Sequence, residues 1–380
     1  MVEFHPVRLI IFCMKLKPDY SCFQASYQSA RQRLLGNVSH IPGQLVQDHR
    51  VFEHPLQGPD SKPLFLDMVM LGQTPEPAYV LVLISATHGV EGFAGSAIQS
   101  DALSVLTQAL QKYEQLGIIV LHALNPWGFA WLRRYDQEGI DLNRNFIDFR
   151  QVLPENMQYH LIHTDLFVEP AKPLDDVLAF WYSKLGKQEL ETIITRGQYQ
   201  HNDGIFYGGN SPSWSRQTLE SACNITYLQN ASKIAVIDLH TGLGPYGFGE
   251  VINDHEVDST GFRWACDWYG DYARSALLGE SCSAPKTGLL DYFWHELIGE
   301  RGCFVTLEFG TYELDKLLLV SCEEQRYHNS YGKDWQLRDI SHESVTLLRN
   351  FFYPQDQVWR ELILIRAREI INLAIQGILK

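Results

Sequence analysis

A chain of 380 residues, 45% of them hydrophobic and 20% charged, has the composition of a folded globular protein. It is long enough to bury a large core without support from disulfides. The formal net charge of −14 argues against a nucleic-acid partner, which needs a basic face on the protein. No apolar run in the sequence reaches membrane-spanning length, so we expect no membrane partner either.

The seven cysteines are scattered, odd in number and without a C-x-x-C pair. This usage is typical of reduced thiols, so we expect a cytoplasmic protein. The apolar run Leu9–Cys13 is too short for a secretory signal, and Met14 follows it directly. We therefore interpret residues 1–18 as an N-terminal extension, consistent with an over-long start, and residues 19–380 as a single domain.

In chain order, the first predicted elements are a helix over residues 19–36, strands over 63–70 and 79–86, a helix over 93–115 and a strand over 117–124. The second and third of these strands are continuous apolar runs, which is typical of strands that are buried on both faces. A strand, a helix and another buried strand in this order indicate a parallel βαβ unit.

The segment 147–232 is aromatic-rich and poorly periodic, and we interpret it as an elaboration that builds pocket walls. Two further buried strands are predicted over residues 233–239 and 302–309. Helices are predicted over 174–185, 211–228, 261–277, 289–299 and 355–378. The last helix packs on the sheet or forms a dimer interface, and the oligomeric state stays open. Together the elements predict an α/β fold with a mixed, largely parallel central sheet and helices on both faces.

His88-Gly-Val-Glu91 directly follows one of the predicted strands. Its imidazole and carboxylate are three residues apart on one turn, and glycines at 89 and 92 allow that turn to be tight. Both side chains can therefore aim at a single point. A zinc ion held by these two side chains would still lack one of the three protein ligands that a catalytic site normally has.

Polar side chains also lie at the ends of the other predicted strands, where open α/β sheets bind their ligands. The arginines Arg133 and Arg134 and the motif Asp141-Leu-Asn-Arg-Asn-Phe146 come after one strand. His240 follows the next buried strand, and Glu308 lies in the last. The strand ends thus supply imidazole, carboxylate and guanidinium groups, which packing alone does not explain.

With these motifs the chain resembles the zinc carboxypeptidase superfamily, the M14 metallopeptidases, and is most similar to its DUF2817 branch. The resemblance implies that residues 19–380 are a zinc carboxypeptidase-like catalytic domain with one Zn²⁺ per chain. The motifs that carry it stand in the family's order: His88-x-x-Glu91, Arg134, Asp141-Leu-Asn-Arg-Asn-Phe146, Asp238-Leu-His240 and Glu308.

The resemblance also implies the roles of the residues around the metal. His88, Glu91 and His240 would bind the zinc ion, with water in the open position. Glu308 would take the proton of that water and later return it to the leaving amine. Arg134 would stabilise the oxyanion that develops on the attacked carbonyl.

Asn143 and Arg144 would hold a substrate carboxylate, because a guanidinium matches a carboxylate in a bidentate way. The alternative for Arg144 is a structural ion pair with Asp141 or Asp148. Tyr292 is the candidate for the family's mobile tyrosine that covers the substrate.

Three features depart from the family's pattern. Asp136 stands where the family often has asparagine, and Arg133 lies beside Arg134, so the choice of Arg134 rests on the motif offset. The position of the capping tyrosine is not marked by any motif. Glu308-Phe-Gly-Thr311 resembles the Glu-x-Gly segment of the aspartoacylase and succinylglutamate desuccinylase branch, which leaves the substrate class open.

The sequence therefore predicts an M14-like zinc hydrolase that cleaves an amide bond next to a substrate carboxylate, in the manner of a metallocarboxypeptidase acting on small peptides. The first alternative is an N-acyl amino acid deacylase on the same fold. The second is a non-catalytic protein that binds peptides or acyl amino acids in the same pocket.

His160-Leu-Ile-His163 has the spacing of metal ligands, but nothing near it in the sequence completes a site. We expect these two residues to be structural or exposed, together with the other histidines outside the motifs. Examples are His122, His201 and His295.

Overall fold

The computed structural model describes residues 17–168 and 173–380. The predicted N-terminal extension, residues 1–18, therefore lies almost completely outside the described residues. In the described part of the chain, the strands are β1 Val46–Gln57, β2 Pro63–Gly72, β3 Tyr79–Ser85, β4 Leu116–His122, β5 Lys233–Tyr246, β6 Gly249–Ile252, β7 Ala273–Arg274 and β8 Gly302–Gly310. The α-helices there are α1 Tyr27–Ser39, α2 Gly92–Lys112, α3 Pro126–Ala130, α4 Met157–His163, α5 Leu174–Leu185, α6 Lys187–Thr195, α7 Trp214–Ala222, α8 Thr226–Gln229, α9 Thr260–Tyr269, α10 Asp291–Ile298, α11 Leu314–Asn329, α12 Glu343–Phe352 and α13 Gln357–Ile378.

The eight strands form one mixed sheet in the order β1-β2-β4-β3-β5-β8-β6-β7. Its central strands β4, β3, β5 and β8 are parallel to one another. β2 and β6 pair antiparallel with the outer two of these strands. The predicted mixed, largely parallel sheet is therefore confirmed.

Helices cover both faces of this sheet, as the alternation of residues along β3 demonstrates. Leu81 and Leu83 belong to one apolar cluster, which also contains residues of α2 and α13. Val80 and Val82 belong to a second cluster on the opposite face, which contains Trp294 of α10. Because both faces are buried, the strand is apolar throughout instead of alternating.

The sequence pattern did not predict β1. Among the described strands it pairs with β2 alone, at the edge of the sheet, and most of its residues are at least partly exposed. It also contains Pro55, a residue that strands tolerate at an edge because it cannot donate a backbone hydrogen bond. A polar edge strand lacks the apolar run from which the inner strands were predicted.

The helix boundaries differ from the predicted ones where capping and glycine override apolar periodicity. α1 begins after Ser26, whose hydroxyl accepts a hydrogen bond from a backbone N–H of the first turn, and it continues past Gly36. The helix predicted over 211–228 is two helices, α7 and α8. The helix predicted over 261–277 ends at Gly270, which has a φ of 59°.

None of the described helices is long and apolar enough to cross a membrane. Six of the cysteines lie in the described residues, and none of these forms a disulfide.

Candidate metal centre and substrate cavity

A cavity of about 360 Å³ opens where the strand order of the sheet reverses. β4 pairs with one side of β3, whereas β5 returns to pair with its other side. The connections after two such strands diverge and leave a crevice, which is where open α/β sheets bind ligands. His88, Glu91, His240 and Glu308 all line this cavity.

Three of these side chains form a candidate metal site. The Nδ1 atoms of His88 and His240 are 3.1 Å apart. One carboxylate oxygen of Glu91 lies 2.8 Å from His88 Nδ1, and the other lies 3.1 Å from His240 Nδ1. All three residues are buried, and their ligand atoms lie within 4.8 Å of one another. His240 lies inside β5, which extends to Tyr246 and does not end at residue 239 as predicted.

The opposite nitrogen of each imidazole contacts a carboxylate. Asp238 Oδ2 lies 2.6 Å from His240 Nε2, and Asp141 Oδ1 lies 3.1 Å from His88 Nε2. The hydroxyl of Thr87 in turn donates a hydrogen bond to Asp238 at 2.9 Å. Histidine ligands of metal ions usually have such a carboxylate on the outer nitrogen, because it orients the ring and leaves the inner lone pair for the metal.

The charges of this group also fit a divalent cation. The group contains three carboxylates, and the guanidinium of Arg134 pairs with two of them, Glu91 and Asp141, while Asp238 contacts His240. Burial opposes ionisation of Glu91, but the adjacent imidazoles lower its pKa. Burial likewise disfavours the charged form of His240, but Asp238 and Glu91 raise its pKa well above the usual value. Two imidazoles and a carboxylate are a donor set that suits Zn²⁺, although other divalent transition metals accept it.

The turn after β3 and the loop that carries the arginines approach each other closely. The N–H of Gly89 donates to the carbonyl of Arg134 at 3.1 Å. A Cβ atom on Gly89 would lie 2.2 Å from the backbone of Gly128, so this close approach is what requires glycine there. The contact places the guanidinium of Arg134 2.8 Å from both Glu91 and His88.

The structure separates the two neighbouring arginines. Arg133 is fully buried outside the cavity, where it hydrogen-bonds to Glu324 at 3.0 Å and to Gln325 at 2.6 Å. Arg134 lines the cavity. The geometry therefore selects Arg134 over Arg133 as the guanidinium beside the candidate metal site.

Asp136, the residue that replaces the family's asparagine, is a buried carboxyl group. It accepts hydrogen bonds from the backbone N–H groups of Glu138 and Ile140, both at 2.9 Å. Its other oxygen has no hydrogen-bond partner in the described part of the chain. Burial raises the pKa of Asp136 from 3.8 to about 7. The folded state thus binds this proton more tightly than the unfolded state, so this carboxyl group makes folding less favourable as the pH rises from about 4 to about 7.

We therefore expect Asp136→Asn to be more stable than the wild type at pH 8, by about 1–2 kcal/mol, because the amide keeps the acceptor oxygen and removes the buried charge. At pH 4 most of that advantage should disappear, since the carboxyl group of the folded wild type is then protonated and no longer a buried charge. Urea denaturation of both chains at the two pH values measures the difference. The same stability difference at both values would contradict this account.

Glu308 lies next to the candidate metal site. It is the register partner of His240 on the adjacent parallel strand, so both side chains leave the sheet on the same side. Its Oε1 accepts a hydrogen bond from the backbone N–H of Leu243 at 3.0 Å, and it forms no ion pair with any described residue. Burial and the carboxylate of Glu91 raise the pKa of Glu308 to about 7. Such a group can both accept and release a proton near neutral pH.

Arg144 is a buried guanidinium in the cavity wall. It donates to the carbonyl of Thr195 at 2.5 and 3.1 Å and to the carbonyl of Asn143 at 2.5 Å. Asp141 pairs with Arg134, and Asp148 pairs with Arg150. Arg144 therefore forms no ion pair with either carboxylate or with any other described acid.

Asn143 lines the cavity beside Arg144. Its side-chain oxygen accepts a hydrogen bond from the N–H of Leu290 at 2.8 Å. Its side-chain NH₂ group has no hydrogen-bond partner among the described residues. The segment before Leu290 packs directly on this motif, since a Cβ atom on Gly288 would lie 2.2 Å from the carbonyl oxygen of Arg144. The N–H groups of Asn143 and Arg144 thus lie in the same wall of the cavity.

Tyr292 lies outside the cavity. Its side chain is 43% exposed, and its hydroxyl donates to the carbonyl of Lys286 at 3.3 Å. No described tyrosine lines the cavity. The structure therefore does not place Tyr292 where a capping residue would contact a bound substrate.

Lys286 is a cavity residue that the sequence interpretation missed. Its ammonium group contacts the hydroxyl of Ser283. Burial and the positive charge of Arg144 lower its pKa to about 8, against the opposite effect of Asp254 and Glu308. A single lysine in a loop belongs to no motif, so only the folded chain identifies it as a second cation near Arg144.

Residues of the segment 147–232 supply one wall of the cavity. The contributing side chains come from α6 and from the loop after it: Gln188, Glu191, Thr192, Thr195 and Phe206.

The fold and the site define an α/β protein with a candidate metal centre at the switch point of its sheet. The family described as "Protein of unknown function (DUF2817)" matches residues 23–366, so the chain belongs to the DUF2817 family. A search of curated proteins found no match.

Similar solved structures include a fibrinolysis inhibitor, a carboxypeptidase and an aspartoacylase family protein. Bovine thrombin-activatable fibrinolysis inhibitor, in complex with tick carboxypeptidase inhibitor, is 12% identical, with a TM-score of 0.45 over 93% of this chain and 99% of that one. Carboxypeptidase A from Helicoverpa armigera is 11% identical, with a TM-score of 0.45 over 87% of this chain and 75% of that one. An aspartoacylase family protein from Mesorhizobium loti is 14% identical, with a TM-score of 0.38 over 69% of this chain and 61% of that one. These values are too low to transfer the role of any residue.

Proposed function

We propose that this chain is a zinc-dependent hydrolase that cleaves an amide bond next to a substrate carboxylate, in the manner of a metallocarboxypeptidase acting on small peptides. One observation carries the proposal. A single cavity is lined by a buried His-Glu-His group, by a glutamate whose pKa is raised to about 7, and by an arginine that no described acid pairs with. A protein that only bound its ligand would not need Glu308, the glutamate with the raised pKa.

His88, Glu91 and His240 would hold one zinc ion, which when bound supplies a Lewis acid and an acidified water. Glu308 takes a proton from the attacking water, because its carboxylate shares the cavity with these residues and titrates near neutral pH. It then returns the proton to the leaving nitrogen. Arg134 places a fixed positive charge beside the reacting carbonyl, where negative charge develops in the transition state.

Arg144 and Asn143 bind the carboxylate of the substrate. The guanidinium is held in position by backbone carbonyls, so it loses little conformational freedom when a carboxylate binds. Lys286 adds a second positive charge to the same region and attracts anionic substrates.

A substrate panel tests which amide bond is cleaved. We expect short peptides with a free carboxyl terminus to be hydrolysed, and the same peptides with an amidated terminus to react at least about 10²-fold more slowly, because Arg144 then lacks its charged partner. N-acetyl- and N-succinyl-amino acids belong in the same panel. Turnover of the acyl amino acids alone would replace the peptidase proposal with the deacylase alternative.

Metal removal tests the proposed cofactor and the non-catalytic alternative together. We expect dialysis against a chelator to reduce hydrolysis to the uncatalysed rate, and one equivalent of Zn²⁺ at the His88 site to restore it. Metal content and turnover are measured on the same samples, with circular dichroism as the control for folding. Hydrolysis that persists in metal-free protein would contradict the zinc mechanism, and no hydrolysis in zinc-loaded protein would favour a binding protein.

A further inference from the structure

A second cluster of metal-ligating side chains lies outside the cavity. His160 and His163 are in α4, and His201 and Asp203 come from the loop that follows α6. His163 Nε2 lies 2.9 Å from Asp203 Oδ1, and His160 Nδ1 lies 2.9 Å from His201 Nε2. The expectation that nothing completes a site near His160 and His163 is therefore corrected, since the fold brings two further ligand types to them.

Two of the imidazoles are stacked on each other. The rings of His163 and His201 are 3.8 Å apart with an interplanar angle of 18°, and His163 is buried. Within the cluster, Asp203 contacts one nitrogen of His163, and His160 and His201 contact each other through one nitrogen each.

We propose that His163, His201 and Asp203, with His160 as a fourth ligand, bind a divalent transition-metal ion of the zinc type. Three imidazole nitrogens and one carboxylate oxygen are a donor set that Zn²⁺ accepts in tetrahedral geometry. The ligand atoms of the first three residues already lie within 4.8 Å of one another. Tetrahedral bonds of about 2.0–2.2 Å need donor atoms roughly 3.3 Å apart. Rotation of the partly exposed side chains of His201 and Asp203 adjusts the donor atoms to this spacing.

The position of this cluster gives the ion a structural role. It joins α4 to the loop over residues 196–207, and both ends of that loop meet the cavity. Before the loop, the carbonyl of Thr195 accepts the hydrogen bonds of Arg144. Near its end, Phe206 lines the cavity. A metal ion that links the loop to α4 therefore fixes the wall that holds Arg144.

The metal content of the full-length chain tests this proposal. The wild type and the variants His201→Gln and Asp203→Asn are stripped with a chelator, loaded with Zn²⁺, dialysed and analysed for zinc by mass spectrometry. We expect each variant to retain one zinc equivalent fewer than the wild type. Both residues are at least partly exposed, so the variants should fold, and circular dichroism verifies this. His295→Gln is the matched control, because His295 stacks on His255 at 3.6 Å and lies 3.9 Å from Asp291, but among the described residues these side chains do not form a three-ligand group.

The proposal fails if either folded variant retains as much zinc as the wild type, or if His295→Gln loses an equivalent as well. Its failure is distinguishable from failure of the proposed function by repeating the measurement in a His88→Gln background. That substitution removes a ligand of the cavity site only. His201→Gln should lower the zinc content by one equivalent in this background too, whether or not the cavity binds metal. Zn²⁺ should also raise the melting temperature of the wild type more than that of His201→Gln.

Discussion

Replacing Glu308 with glutamine should lower the kcat for hydrolysis by about 10³-fold, because the amide cannot take a proton from water or return it to the leaving nitrogen. The zinc content should stay at the wild-type level, since the candidate ligands are His88, Glu91 and His240. Steady-state kinetics on a peptide with a free carboxyl terminus and metal analysis of the same protein measure both effects. The substitution keeps the shape of the side chain, and the amide oxygen can still accept the hydrogen bond from Leu243.

Glu250→Gln is the matched control for this experiment. Glu250 pairs with Glu308 in the register of β6 and β8, and it is also buried. Its carboxylate contacts Ser281 and the backbone of Cys282 and does not line the cavity. We expect this variant to keep its turnover within about tenfold of the wild type. An equal loss in both variants would indicate that any change to these buried acids disturbs the site, and unchanged turnover in Glu308→Gln would remove Glu308 from the mechanism.

Replacing Arg144 with methionine should lower kcat/KM for substrates with a free carboxylate by about 10²-fold, corresponding to about 3 kcal/mol for a charge-assisted hydrogen-bonded pair. The effect should fall mainly on KM, because the carboxylate is bound in both the ground state and the transition state. Arg144→Lys should recover only part of this loss, since an ammonium group lacks the two parallel N–H groups of a guanidinium. Kinetics with all three proteins measure the series.

An amidated substrate separates substrate binding from a structural role of Arg144. With the charge of the substrate removed, wild type and Arg144→Met should differ little in kcat/KM, because the interaction that the substitution deletes is already absent. Arg150→Met is the control, since Arg150 is exposed and pairs only with Asp148. An equally large loss on the amidated substrate would mean that Arg144 supports the fold of the cavity wall through Thr195 and does not bind the carboxylate.

The inner part of the fold could be predicted from the sequence, because strands that are buried on both faces are continuous apolar runs. β3, β4, β5 and β8 are apolar runs of strand length, and each was predicted. β1 is half polar and pairs on one side only, so its sequence resembles a loop. Helix ends were predicted less well, because hydrogen bonds such as the one to the hydroxyl of Ser26 determine them.

The candidate metal ligands could be chosen from the sequence only because several motifs occur in one order, and each motif lies near the end of a predicted strand or after it. Arg134 could not be separated from Arg133 in this way, since neighbouring residues of the same type carry the same local signal. Their tertiary contacts distinguish them, because Arg133 is buried against Glu324 whereas Arg134 lines the cavity. Tyr292 was chosen from the segment that also contains Lys286, and the fold exposes the tyrosine while it brings the lysine into the cavity.

By itself, the sequence determined where the buried strands lie along the chain and which residue types stand near their ends. Both depend on residues that are close together in the sequence. The tertiary structure alone decided which distant groups meet. It brought His201 and Asp203 to His163 and left Arg144 without a paired acid among the described residues. These contacts join residues that are far apart in sequence, and their distances depend on how loops pack against one another, which no local pattern records.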